Sequence, residues 1–250
     1  MNNEINLAWM YPDILNLHGE RGNAQAFKHV ADLLDVNLNL ERIDDVETEI
    51  DFEKYDILLF NAGELKVIPT ILKSLNSQQD GLKKYIEDKK AIIVTGTTSA
   101  LLGNNITLLD GSSFEGLKIF DIYYTQRDMV IGDDIFFTLE DGTEIVGSQI
   151  QMVDINLKDE KPLGTIKYGY GNIGNSNEGA KKENIFFTNC LGPVFVKNPW
   201  FAEAVIRNVC KQKNIVISDD INPNYEIELK SLDATKEFIK NKMEQDSLKN

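Results

Sequence analysis

The sequence predicts an α/β protein, a three-layer sandwich in which a mixed, largely parallel sheet lies between helices. Three observations carry this. Short apolar strands alternate with amphipathic helices up to Gly103. Two of those strands run out into polar, glycine-bearing loops at Asn61-Ala62-Gly63 and Gly96-Thr97-Thr98, as the carboxyl ends of buried parallel strands do. Beyond Gly103 the pattern changes to strand-like pieces separated by turns such as Asp110-Gly111 and Asp141-Gly142, a mark of antiparallel pairing.

In order along the chain, Ile5 to Trp9 reads as a first strand, and a polar loop from Tyr11 to Asn23 with two glycines opens a helix whose core face is Phe27, Val30, Ala31 and Leu34. Val36, Leu38 and Leu40 alternate with polar residues as a second strand, and the acidic run from Asp44 to Glu53 reads as a solvated connection. Asp56 to Phe60 is a short buried strand. Glu64 to Leu75 is helical in composition with Pro69 expected to kink or interrupt it, and Gln78 to Asp88 is a further helix. Ala91 to Val94 is the central strand.

After the elbow at Gly96, a helix start is expected, then strands at Ile106–Leu109, Gly116–Tyr124, Val130–Leu139, Glu144–Gln149, Thr165–Tyr168 and Asn184–Thr188. The loop from Gly169 to Gly179 has the composition of a turn rather than of a phosphate cradle. Asn198-Pro199 opens a helix with Phe201, Ala202, Val205, Ile206, Val209 and Cys210 in one stripe. A charged C-terminal helix over 226–246 offers Leu229, Leu232, Phe238, Ile239 and Met243 for docking. With no internal repeat and no long linker, residues 1–250 are expected to form one domain.

A net charge of −14 and a pI near 4.6 disfavour nucleic acid and anionic membrane surfaces as partners. No apolar run approaches the roughly eighteen residues of a membrane span, and the expected location is cytoplasmic. Two cysteines and two histidines, Cys190, Cys210, His18 and His29, make no metal cluster or disulfide framework. Both cysteines read as small buried hydrophobes, and no metal or cofactor is expected.

The elbow after Val94 is where a sheet of this kind would present a nucleophile, and the residue there is Gly96. Thr98 or Ser99 could attack from the next positions, but no histidine follows the later strands to serve as base, and His18 lies in the first loop. The simpler expectation is that the Thr-Thr-Ser turn caps the following helix, whose amino end could also receive an anion.

Several segments in order along the chain resemble the GatD family, the glutaminase subunit of lipid II isoglutaminyl synthase, related to the amidotransferase domains of cobyric acid synthases. They include Tyr11-Pro12-Asp13, Leu15-Asn16-Leu17, Arg21-Gly22-Asn23, Tyr85-Ile86-Glu87-Asp88, Leu101-Leu102-Gly103, Glu115-Gly116-Leu117, Gly169-Tyr170-Gly171-Asn172, Glu178-Gly179-Ala180, Gly192-Pro193 and Lys197-Asn198-Pro199. The resemblance implies a class I glutamine amidotransferase-like fold acting beside a MurT-like, Mur-ligase-like subunit. It also implies a thiolate, a histidine base and backbone N–H groups for an oxyanion.

Aligned to that pattern, Gly96 stands at the cysteine position and Leu191 at the histidine position. The family's Gly-Gly-Gly turn has become Asn61-Ala62-Gly63, and its substrate-facing Phe-Glu-Asn-His-Gly-Gly-Arg segment appears as Ser148 to Asp154, Gln151 included. The resemblance therefore implies a subunit without glutaminase activity, retained as a binding or regulatory partner in cell-wall precursor amidation. Asn16, His18, Arg21, Asn23, Asn61, Gly63 and Gln151 are its candidate ligand or partner contacts. A hydrolase using Thr98 or Ser99, and an amidotransferase with an unrecognised nucleophile, are the competing expectations.

Overall fold

The computed structural model describes residues 4–247. The chain opens with β1 (Glu4–Met10), α1 (Arg21–Leu33), β2 (Asn37–Ile43), β3 (Ile57–Phe60), α2 (Ile68–Ser77), α3 (Gln79–Glu87) and β4 (Ala91–Thr95). It continues through β5 (Asn105–Thr107), β6 (Ser113–Glu115), β7 (Tyr123–Leu139), β8 (Glu144–Asn156), β9 (Gly164–Tyr168), β10 (Asn177–Glu178), β11 (Ala180–Lys182), β12 (Ile185–Thr188) and β13 (Cys190–Leu191). Three helices, α4 (Val194–Lys197), α5 (Pro199–Gln212) and α6 (Glu226–Ser247), finish it.

The central sheet has six strands in the order β11-β12-β4-β3-β1-β2, parallel throughout except for the β11–β12 pair. Every residue of β3 and β4 is buried, which is why both read as unbroken apolar runs. Their side chains alternate between two cores. Leu58, Phe60, Ile92 and Val94 pack with α2, α3 and Tyr124, whereas Ile57, Leu59, Ala91 and Ile93 pack with Phe27, Val30, Phe201 and Ile206 of α1 and α5. This gives the three layers expected from the sequence.

Of the half beyond Gly103, β11 and β12 extend the central sheet and the other strands fold into a second, seven-stranded sheet. β10, β9, β7, β5 and β6 follow one another, with β8 on β7 and β13 on β8. The pieces expected at Gly116–Tyr124 and Val130–Leu139 resolve differently: β7 is one strand from Tyr123, irregular between Gln126 and Ile131, and residues 116–122 form no strand.

Two other expectations are corrected. Pro69 interrupts nothing, because it sits in the first turn of α2 where its missing N–H has no helical partner to lose. The stretch after the elbow, Gly96–Leu102, is a 3-10 helix and not an α-helix. Its carbonyls are taken from outside: Leu117 N–H donates to Leu101 O at 2.8 Å, and Ile119 and Phe120 N–H both donate to Leu102 O at 3.0 Å. Gly116 lets that strand of chain press against the turn, since a Cβ there would lie 2.8 Å from Ala100 O.

The C-terminal helix α6 buries Leu232 and Ile239 and pairs Lys236 with Glu144 and Lys242 with Asp133. Leu229, Phe238 and Met243, also expected to dock, stay about half exposed.

Candidate functional site

Gly96, at the carboxyl end of β4, and Leu191, in β13 just beyond β12, lie together in the fold. Gly96 is buried at φ +60°, a conformation that glycine adopts freely. A Cβ added to it would lie 3.0 Å from Ala62 Cβ and 3.2 Å from Leu191 Cδ2. Leu191, 1% exposed, therefore fills the space that a side chain at position 96 would enter. β13 holds it there by pairing Leu191 with Ser148 of β8.

The hydroxyls of the turn are equally committed. Thr98 Oγ1 donates to Asn61 O at 2.8 Å and accepts from Gly63 N–H at 2.9 Å, so it ties the β4 elbow to the loop after β3. The expected helix cap is not formed, because the 3-10 turn has no side-chain cap bond. The Gly63 N–H, the donor this loop turns toward the elbow, is consumed by that contact. Space over Gly63 is closed by Leu15, which a Cβ there would meet. Ser99 Oγ is buried with no hydrogen-bond partner, while Ser99 O accepts from Tyr124 OH at 2.9 Å.

Beneath the elbow lies a group that the sequence did not single out. Glu20, fully buried just before α1, accepts from Gly192 N–H at 2.8 Å through Oε1. Its Oε2 accepts from Asn23 Nδ2 at 2.5 Å and from Thr95 Oγ1 at 3.1 Å. Burial pushes its carboxyl above the usual range, against the pull of those three donors. A lone acid before a helix reads as a capping charge, but its side chain makes no cap bond and turns inward instead. Glu178 repeats the pattern: it is fully buried, raised by burial, and accepts from Thr188 Oγ1 at 2.7 Å, Asn189 N–H at 2.6 Å and Asn189 Nδ2 at 3.1 Å.

The other candidate residues divide sharply. Asn23, Asn61, Gly63 and Gln151 are buried. Asn23 also reaches Asn61 Oδ1 at 3.2 Å and receives Phe195 N–H at 3.1 Å, and Gln151 Nε2 donates to Val153 O and Gly171 O. Their polar groups serve the interior, with Asn61 Nδ2 left unpartnered. Asn16, His18 and Arg21 lie at or near the surface, Arg21 paired with Asp13 at 3.3 Å. His18 sits at φ +58°, its imidazole shifted down by partial burial, and it is not a hydrogen-bond partner of either elbow hydroxyl. Cys190 and Cys210 are buried free thiols, both pushed up by burial.

Gly96, Leu191, Thr98 and the Gly63 N–H are thus all engaged in contacts within the chain. Among the described residues, no group of three or more histidine, cysteine or acidic side chains is placed to hold a metal ion.

No family model matches the sequence. The subunit GatD of lipid II isoglutaminyl synthase (glutamine-hydrolyzing) from Staphylococcus aureus strain N315 is 28% identical over 241 residues, which span 92% of this chain and 94% of that protein. Its counterpart from Streptococcus pneumoniae strain ATCC BAA-255 / R6 is 25% identical over 218 residues, 84% of this chain and 82% of that one. Among solved structures, PurLQS from Thermotoga maritima superposes with a TM-score of 0.54 at 10% identity, over 84% of this chain and 99% of that one. A glutamine amidotransferase crystal structure gives 0.52 at 13% identity, over 74% and 93%. These two show the shared fold. Matched nearly end to end in sequence, the chain is similar to these GatD subunits and has the fold of class I glutamine amidotransferases.

Proposed function

We propose that this chain is the glutamine amidotransferase-like subunit of a lipid II isoglutaminyl synthase-type assembly, that it does not hydrolyse glutamine, and that it acts as a binding or regulatory partner of a MurT-like, Mur-ligase-like subunit. The observation that carries the reading is the packing of Leu191 against Gly96, because acyl transfer from glutamine needs a nucleophile, a base and room for a tetrahedral intermediate. The Thr98–Gly63 bond adds to it, since an N–H already donating at 2.9 Å is not available to an oxyanion. No observation favours Thr98 or Ser99 as a nucleophile: neither has a base for a partner.

The test is glutamate release from glutamine by the purified full-length chain, alone and co-expressed with a Mur-ligase-like protein from the same genome. The expected result is co-purification, no glutamate above buffer, and amidation by the complex that depends on ammonium and ignores glutamine. Robust glutaminase turnover by the chain would overturn the reading, as would failure of every such ligase to co-purify.

A further inference from the structure

Where α6 ends, the second sheet carries an apolar strip that nothing in the chain covers. Leu232, Ile239 and Met243 share one stripe of α6; the first two are buried, but Met243 is 49% exposed. The helix runs along β7 from Phe136, whose ring centroid lies 5.7 Å from Lys236 Nζ, to Asp133, which pairs with Lys242. Past that point the face that carries Phe136 continues through Gly132 and Ile150, which lie opposite one another, and Met152 of β8. A Cβ on Gly132 would meet nothing within 4 Å, so the floor there is bare.

Opposite Met152 the pairing of β7 with β8 breaks, between Gln126 and Ile131, and the bulge turns Met129 and Val130 out to 70% and 51% exposure. Arg127 braces it. Its Nε donates to Met129 O at 3.3 Å, its guanidinium donates to Asp154 at 2.5 Å and lies 5.4 Å from the Tyr170 ring centroid, and Tyr170 OH donates to the same carboxylate at 2.8 Å. Met129, Val130, Ile150, Met152 and Met243 are thus held at the surface as one methionine-rich strip, the composition of a contact that adapts to an apolar partner.

Charge selects the occupant. Asp128, Asp133, Asp134 and Asp154 border the strip against Arg127 and Lys242, which pair with Asp154 and Asp133, so Asp128 and Asp134 are left in excess. A second copy, at −14 overall, would bring like charge to like. A different subunit with an apolar face and a basic rim fits both the strip and its border. β8 also joins the strip to the elbow: Ser148, about 13 Å along the strand from Met152, pairs with Leu191. We propose that this strip seats the Mur-ligase-like subunit, through an apolar face rimmed by lysine or arginine; the assignment rests on the function proposed above and adds where the two subunits meet. A subunit seated there bears on the strand that holds Leu191 against Gly96.

Titration calorimetry between the full-length chain and a Mur-ligase-like protein from the same genome tests it. Met129→Asp and Met152→Asp each set a carboxylate into the contact and are expected to weaken binding about tenfold or more. Leu109→Asp, between β5 and β6 and 58% exposed, is expected to leave binding unchanged. Circular dichroism establishes that each variant is folded, and amide exchange on the parent complex reads the site without a substitution: protection is expected over 127–133 and 150–154. Binding indifferent to both aspartates, an equal loss with Leu109→Asp, or protection confined to other segments would each overturn the site and leave the proposed function standing. A parent chain that binds no such ligase would overturn the function and the site together. A dimer of the chain alone, abolished by the same aspartates in sedimentation velocity, would overturn the choice of occupant.

Discussion

Glu20 Oε1 and the Gly192 amide meet at 2.8 Å although 172 residues separate them in the chain. This bond fastens the start of α1 to the turn that carries Leu191, and the same carboxylate holds Thr95 at the end of β4. Glu20→Ala removes an acceptor shared by Gly192 N–H, Asn23 Nδ2 and Thr95 Oγ1 and is expected to lower unfolding stability by about 2–4 kcal/mol, read from the urea midpoint. A loss below about 0.5 kcal/mol, the size of an ordinary surface change, would refute the role given to this side chain.

Glu20 and Glu178 set the sign of the pH dependence above the ordinary carboxylate range. Both have folded pKa values raised from 4.5, so in the window just above 4.5 the folded chain holds more protons than the unfolded one. Stability then falls as pH rises through that window. The surface acids with lowered values, such as Asp133 and Glu140, act oppositely and below that range. The melting temperature is expected to decline from about pH 5 upward, and Glu178→Gln is expected to flatten the decline; a rising profile over that window would contradict the assignment.

Placing cysteine at position 96 and histidine at position 191 is not expected to confer glutamine hydrolysis. Gly96→Cys must enter a space bounded by Ala62 and Leu191, and with Leu191→His the Gly63 amide still donates to Thr98. Glutamate release by the double variant should stay at background, and its stability should drop by about 1–3 kcal/mol from backbone strain and an unpaired buried imidazole. Leu191→Ala alone should lose about 2–5 kcal/mol through the cavity it opens. Turnover by the double variant would show that the elbow retains a working oxyanion site.

Docking of α6 rests on few side chains. Ile239 is 2% exposed and its neighbour Phe238 is 59% exposed. Ile239→Asp should release the helix, detected as fast amide exchange over 226–247 with the rest protected, whereas Phe238→Ser should leave exchange unchanged.

What could be read from the sequence follows what is local. β3 and β4 announce themselves because both faces are buried, and α1 and α5 because their stripes pack on one sheet face. Gly96 and Leu191 could be singled out by position, but their packing against one another needed the fold. The 3-10 turn after the elbow was hidden because its carbonyls are claimed by residues 117–120, a tertiary decision. β7 was split in sequence because Arg127 to Val130 bulge out of the pairing with β8. Glu20 escaped notice, and Glu178 entered only as part of the family-like segment Glu178-Gly179-Ala180, because no spacing rule marks an acid whose partners are a distant amide or a neighbouring amide and hydroxyls.

The positive φ of Gly96 sets the cost of putting anything else at this bend. An L-residue at +60° carries a conformational penalty of about 1–2 kcal/mol, which glycine escapes. Glycine here leaves the backbone relaxed and lets Leu191 and Ala62 close over it. A reactive side chain brought to this corner would therefore begin by taking stability from the fold that has to hold it.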